Sequence, residues 1–245
     1  LIVRTSILQN GKIGKKKMAK KQMFLIIDTE TTMQDHVYDF GAVLCDRHGT
    51  IESECSVILK DFANEPLFHD NQSTLWNLKL RQQKYANMLE NGSIMISSVQ
   101  GVNRWLDRVI AKYPEVIAVS YNAAFDKDKL QKSGIDFSRF NEYLCLWQIA
   151  YGLHGQTKKY RQFVLDNHYF NNVTDLGNAT YQTNAEVMSH YVTGIKAEEQ
   201  HTALADCKDF ERHILVNVLK SKNWRKKMRP YNWRECQLKD AFVAK

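Results

Sequence analysis

The chain has 245 residues, 44% hydrophobic and 25% charged, with a formal net charge of +7. That length suits one large domain or a domain with an appendage, the composition is that of a globular protein, and no apolar run approaches the roughly 20 residues of a membrane span. Five cysteines, an odd number without a CxxC pair, argue against a disulfide framework or a zinc site and for small buried hydrophobes in a reducing, cytoplasmic setting.

The charge is unevenly placed. Residues 1–22 carry seven Lys or Arg and no acid, and residues 220–239 carry eight against Glu235. Each end contributes +7 and residues 240–245 are neutral, so a total of +7 leaves the body from 23 to 219 at −7. An acidic body with two basic ends suits a polyanionic partner.

In chain order, residues 1–22 do not form a signal peptide, because the charges follow the short apolar stretch and no small-residue cleavage site appears. They are expected to stay outside the fold as a basic extension, with Met18 and Met23 as alternative starts. "FLIIDTETT" (24–32) is short, β-branched and apolar and predicts a buried strand. "VYDFGAVLCD" (37–46) and "GTIESECSVIL" (49–59), joined by "DRHG", predict a hairpin beside it. Residues 73–89 are helix-like without clean periodicity. Residues 97–113 are clearly amphipathic: Val102, Trp105, Leu106, Val109 and Ile110 share a face, a serine at 97 or 98 can cap the helix, and Pro114 ends it. A buried strand at 115–122 and a helix at 123–134 closed by Gly134 follow, then a strand leading into a helix at 142–150. Residues 151–183 show little periodicity and predict a partly helical insertion or lid. Helices are predicted at 184–194, with a Gly C-cap, and at 202–220, the longest. The order describes a mixed α/β domain over 23–220, followed by a basic, aromatic C-terminal extension over 221–245.

A buried strand ending in Asp28 and Glu30 must place their charge somewhere, since burying an ion costs several kcal/mol unless it is paired or binds a metal. In a strand, residues i and i+2 face one side, so both carboxylates can reach one site. Asp126 follows the next buried strand, and His201 and Asp206 stand where the last helix begins. At about 100° per residue, Ala203, Cys207, Phe210, Ile214 and Val218 form an apolar stripe with Asp206 at its edge and Asp209 well outside it. His201 would fall on the opposite side if helical, and can join Asp206 only from the preceding loop, with Thr202 as a cap. Two hard cations about 3.5–4 Å apart need such oxygen ligands, and a neighbouring imidazole can take a proton from metal-bound water. Taken singly, each residue has an ordinary reading as a solvated acid, a helix N-terminal acid or a surface histidine. His36, His48, His69, His154, His168, His190 and His213 lack such company. Trp224 and Trp233, lying among basic residues, favour a nucleic-acid contact over plain packing; the competing reading has them pin the C-terminus to the core.

"DTETT", "YNAAFD" and "HTALAD" resemble, in order and spacing, the three exonuclease motifs of the DEDD superfamily, histidine-containing branch, which includes the proofreading exonuclease subunit of bacterial DNA polymerase, ribonuclease T and oligoribonuclease. "VYDFGAV" is similar to that family's second-strand segment. The resemblance covers residues 23–220. It implies a ribonuclease-H-like α/β fold with a central mixed β-sheet flanked by helices, and a 3′→5′ exonuclease with two divalent metal ions, Mg²⁺ or Mn²⁺. The implied substrate is single-stranded DNA or RNA, cut to nucleoside 5′-monophosphates, with no membrane partner; relatives are often homodimers. By motif, Asp28 would ligate both metals, Glu30 one of them, Asp126 the second and Asp206 the first. His201 would be the general base, and Thr31 and Asn122 would lie near the terminal nucleotide. Met33 departs from the glycine many members have there, and neither 151–183 nor the basic end has a counterpart. The alternatives are a catalytically inactive nucleic-acid-binding module on the same fold, or a phosphodiesterase for very short or cyclic oligonucleotides.

Overall fold

A computed structural model describes residues 21–69, 77–171 and 178–238. Its centre is a sheet of six strands: β1 (Met23–Thr31), β2 (Val37–Asp46), β3 (Ile51–Leu59), β4 (Met95–Ser97), β5 (Ile117–Ser120) and β6 (Tyr143–Cys145). They lie in the order β4–β3–β2–β1–β5–β6. The first three form an antiparallel meander, β4 runs parallel to β3, and β5 and β6 continue parallel to β1 on the other side. The domain is therefore α/β with a mixed central sheet flanked by helices.

Strand alternation sets the two layers. Met23, Leu25 and Ile27 of β1 face one core with Val102, Leu106 and Val109 of α2 (Val99–Lys112) and Leu130 of α3 (Ala123–Lys132). Phe24 and Ile26 face the other core, built by α4 (Leu146–Ala150), α5 (Lys158–Asp166), α6 (Ala185–Thr193) and α8 (Arg212–Val218). The same alternation carries Asp28 and Glu30 onto the second side and Thr29 onto the first. The hairpin, the amphipathic helix and its Ser98 cap, whose Oγ accepts the Gly101 N–H at 3.1 Å, follow the sequence expectation. The helix expected at 73–89 is α1 (Leu78–Glu90), capped by Asn77; positions 73–76 lie outside the described residues.

The long helix expected at 202–220 is helical from Ala203 to Val218, with one irregular turn inside it. α7 (Ala203–Asp206) runs into a π-helical turn, Cys207–Glu211, in which the Arg212 N–H bonds the Cys207 carbonyl, and only then into α8. Thr202 holds the N-cap position but makes no capping side-chain bond among the described residues; the Ala203 N–H goes instead to Asp39 Oδ2 of β2 at 3.0 Å. The expected stripe is buried and Asp209 is exposed.

The segment after α4 and the basic end are knit together. A small sheet orders β7 (Phe170–Asn171), β8 (Ala179–Tyr181) and β9 (Gln237–Leu238) side by side. The chain of α9 (Trp224–Lys227) lies against Gly152, where a Cβ would overlap the Lys227 carbonyl oxygen at 1.7 Å. Beyond it Tyr231 packs on Trp147, ring centres 4.6 Å apart, and Cys236 is buried. Trp224 packs against the core, while Trp233 is exposed. Of the N-terminal extension, Lys21 pairs with Asp46 at 2.8 Å and Gln22 donates to the Glu115 carbonyl at 2.7 Å; residues 1–20, like 172–177 of the expected lid and 239–245 of the basic end, lie outside the described residues. No helix among the described residues is long and apolar enough to cross a membrane.

One close approach positions everything that follows. A Cβ on Gly41 would sit 2.2 Å from the Ala203 carbonyl carbon and the Leu204 nitrogen, so α7 rests directly on the backbone of β2. Gly41→Ala is expected to push α7 off the sheet and cost about 1–3 kcal/mol, the usual penalty of overpacking, read as a lower midpoint in urea; an unchanged midpoint would mean that the contact is not needed.

Candidate functional site

A cleft of about 700 Å³ opens at the carboxyl ends of β1 and β5, where open α/β sheets ordinarily bind ligands. Asp28, Glu30, Asp126, His201 and Asp206, the five residues singled out in the sequence, all line it, as do Thr31 and Asn122. Asp28 and Glu30 come from the end of β1. Asp126, in the first turn of α3, enters from the other layer, and its Oδ1 accepts the Thr29 hydroxyl at 2.9 Å. Thr29 thus uses the opposite face of the strand to tie the third acid to the first two.

Glu30, His201 and Asp206 each offer a ligand atom within 4.8 Å of the other two, a buried or half-buried group that could hold a metal ion. Asp28 and Asp126 lie outside that trio but on the same cleft wall. His201 is in the loop before α7, as its helical phase requires, and its φ of 50° is a left-handed conformation unusual for a residue with a side chain. Such strain persists only when neighbours hold it. α1 reaches this loop through Lys84, which donates to the Gln200 carbonyl next to His201; its Arg81 pairs with Glu30 at 2.9 Å and its Tyr85 donates to Asp39 Oδ2 at 3.1 Å.

The electrostatics have one sign. Burial, then the charges of Glu211, Asp126 and Asp206, hold Asp28 well above the usual carboxylate range. Asp126 is pushed to about 7 by burial, against the Thr29 hydrogen bond. Asp206 rises to about 8 through burial, then Glu199 and Glu30. Glu30 is raised by burial although Arg81 pulls it back. His201 is lowered, first by burial and then by Arg81 and Lys84, so its imidazole is neutral near neutral pH.

Four contributors were not singled out in the sequence. Glu199 lines the cleft, with burial and then Glu186 raising it to about 7. Glu211, 2% exposed, lines it as well. Asp39, fully buried and paired in register with Glu30 across β1 and β2, caps α7. Arg81 is the buried counter-ion of Glu30. For Asp39 and Glu211 there was a signal: an acid inside an apolar strand, and an acid within the apolar stripe between Cys207 and Ile214. Arg81 and Glu199 sit in segments without periodicity.

The residues fit a cation. Asp206 Oδ1 and Glu211 Oε2 are buried and have no hydrogen-bond partner among the described residues, and a cluster of carboxylate oxygens with an imidazole is the donor set of a hard divalent ion. Comparison of the sequence with protein-family models and with curated proteins gives no match.

Because the folded-state pKa values of Asp126 and Asp206 are raised, to about 7 and about 8, their contribution to stability is fully present below the ordinary carboxylate pKa and is lost as pH rises through those values. Millimolar Mg²⁺ or Mn²⁺ is therefore expected to raise the melting temperature strongly near pH 8 and hardly at all near pH 5, where the cleft is protonated, with chelator as the reference. A metal effect that does not grow with pH would contradict this.

Proposed function

We propose that the chain is a metal-dependent 3′→5′ exonuclease of the DEDD superfamily, histidine-containing branch, on a ribonuclease-H-like fold, and that it shortens single-stranded DNA or RNA to nucleoside 5′-monophosphates. The observation that carries this is the meeting of Asp28, Glu30, Asp126, His201 and Asp206, from three motifs spread over 179 positions of sequence, in one cleft with open carboxylate oxygens. The motifs give the order and the cleft gives the company.

The roles follow from position. Glu30 and Asp206 would hold one divalent ion and Asp28 and Asp126 a second, and such ions polarise a phosphodiester and activate the attacking water. His201, neutral because burial and two cations lower its pKa, accepts the water's proton at a ring nitrogen. Its place beside Glu30 and Asp206 also makes it a candidate ligand. Arg81, buried and paired with Glu30, would hold that carboxylate in its rotamer. Thr31 and Asn122 line the floor where the terminal nucleotide would rest. Phe125, Trp147 and Tyr231 line the same cleft and offer faces on which a base can stack. Of the basic cluster at 225–229, Arg225 is paired with Glu142 and Arg229 with Glu235, which leaves Lys226 and Lys227 as the better candidates for phosphates of the upstream strand.

Digestion of 5′-labelled single strands of DNA and of RNA tests the reading. The expected result is stepwise shortening from the 3′ end, abolished by chelator and restored by Mg²⁺ or Mn²⁺. Asp28→Asn and Asp206→Asn should each lose several orders of magnitude, and His201→Ala about 10²–10⁴ in rate. Retention of more than about a tenth of the rate in Asp28→Asn, less than 1.4 kcal/mol of barrier, would sink the metal reading. The total absence of nuclease activity on either strand would favour the binding-module alternative.

Replacing Lys226 and Lys227 together is expected to raise KM on long strands and to lower the salt slope by about 0.7 for each phosphate that a lysine had neutralised. An unaltered slope would mean that the basic end does not touch the strand.

A further inference from the structure

Glu211 is a cleft carboxylate that no motif accounts for. It is 2% exposed, and its Oε1 accepts the Tyr121 N–H at 3.1 Å, which anchors the side chain at the end of β5. Its Oε2 is buried and has no hydrogen-bond partner among the described residues. Glu30, by contrast, has Arg81 at 2.9 Å, whereas Glu211 has no ion pair among the described residues. A carboxylate so placed costs stability unless something meets its open oxygen.

The backbone explains how it gets there. In a regular α-helix a residue five positions after Asp206 would be turned about 140° away from it, at about 100° per residue. The π-helical turn at Cys207–Glu211 winds less per residue and narrows that angle, bringing Glu211 toward the face that carries Asp206. The neighbouring charges are carboxylates: Glu211 acts on Asp28 more strongly than any other acid does, and Asp126 is in turn the acid that acts most strongly on Glu211.

We propose that Glu211 is a further cation-holding residue of the cleft, serving a divalent ion together with Asp28 and Asp126, on the side away from the Glu30, His201 and Asp206 group. The assignment rests on the reading of the cleft as a divalent-cation centre. The competing role is purely structural, an acceptor for the Tyr121 N–H that ties the last helix to β5. Glu211→Gln separates the two, because the amide oxygen can still accept that N–H while the charge is gone.

The test is Mn²⁺ binding to the full chain near pH 8, followed by calorimetry and by electron paramagnetic resonance, with melting curves in chelator and in Mn²⁺. Asp209→Asn, an exposed neighbour, is the control. Wild type and Asp209→Asn are expected to bind two ions alike. Glu211→Gln should weaken one of them by about tenfold or more, as loss of a supporting ligand does, and leave the other unchanged. In chelator the Gln variant should melt no lower than wild type, and it should gain less from Mn²⁺. Glu211→Asp, which keeps the charge on a shorter arm, should fall between, and supplies the comparison if the Gln variant does not fold. Mn²⁺ binding in Glu211→Gln equal to wild type would overturn the assignment and leave the cation centre standing. No Mn²⁺ binding in wild type would overturn both.

Discussion

The structure is organised around a group of carboxylates that the protein neutralises only in part. Asp28, Glu30, Asp126, Asp206, Glu199 and Glu211 converge on one cleft. Two like charges about 4 Å apart repel by about 4 kcal/mol at an effective dielectric of 20, and burial adds the desolvation of each. Against this the chain sets one buried ion pair, Arg81 with Glu30, and two anchoring hydrogen bonds, from the Thr29 hydroxyl to Asp126 and from the Tyr121 N–H to Glu211. The ion pair offsets the charge of Glu30, while the hydrogen bonds fasten Asp126 and Glu211 in place without cancelling theirs. Buried oxygens of Asp206 and Glu211 are left open, and divalent cations are the partners whose chemistry matches them.

Much of the surrounding scaffold serves to hold this arrangement. Gly41 lets α7 lie on β2, and Asp39 caps α7 from the same strand. α1 reaches the loop of His201 through Lys84, while its Arg81 pairs with Glu30 and its Tyr85 reaches the same Asp39 oxygen that caps α7. β2 and α1 therefore fix the histidine and Asp206 relative to β1, though neither contributes a predicted ligand. On the far side the C-terminal chain returns along Gly152 and pairs β9 with β8, which brings Tyr231 onto Trp147 in the cleft wall. The C-terminal part of the described chain thus belongs to the site's enclosure, a role its charge alone does not suggest.

What could be read from the sequence was what local periodicity carries. The apolar run before Asp28, the i, i+2 placement of Glu30, the stripe that admits Asp206 and excludes Asp209, and the helical phase that forces His201 into a loop are all short-range patterns, and each matches the structure. The rest depends on contacts distant in sequence or on a departure from ideal geometry. β4 is a three-residue edge strand and β9 a two-residue one, too short to show a period. Arg81 is buried by a partner 51 residues away, in a helix whose sequence shows no clean apolar face. Thr202 was the obvious cap by residue type, but it makes no capping side-chain bond among the described residues, and the Ala203 N–H is taken by Asp39 of β2 at 3.0 Å. Glu211 stands within the apolar stripe on a regular wheel, but its approach to Asp206 depends on the widened turn at Cys207–Glu211, which a constant turn per residue does not show.

If the cleft holds divalent ions on the carboxylates of β1, α3 and the last helix, anomalous X-ray diffraction from crystals grown with Mn²⁺ will locate them. Anomalous peaks are expected in the cleft within about 2.5 Å of carboxylate oxygens of Glu30 and Asp206 on one side and of Asp28 on the other, the contact range of hard cations with oxygen ligands. Well-ordered carboxylates with no anomalous peak among them at saturating Mn²⁺ would contradict a cation centre.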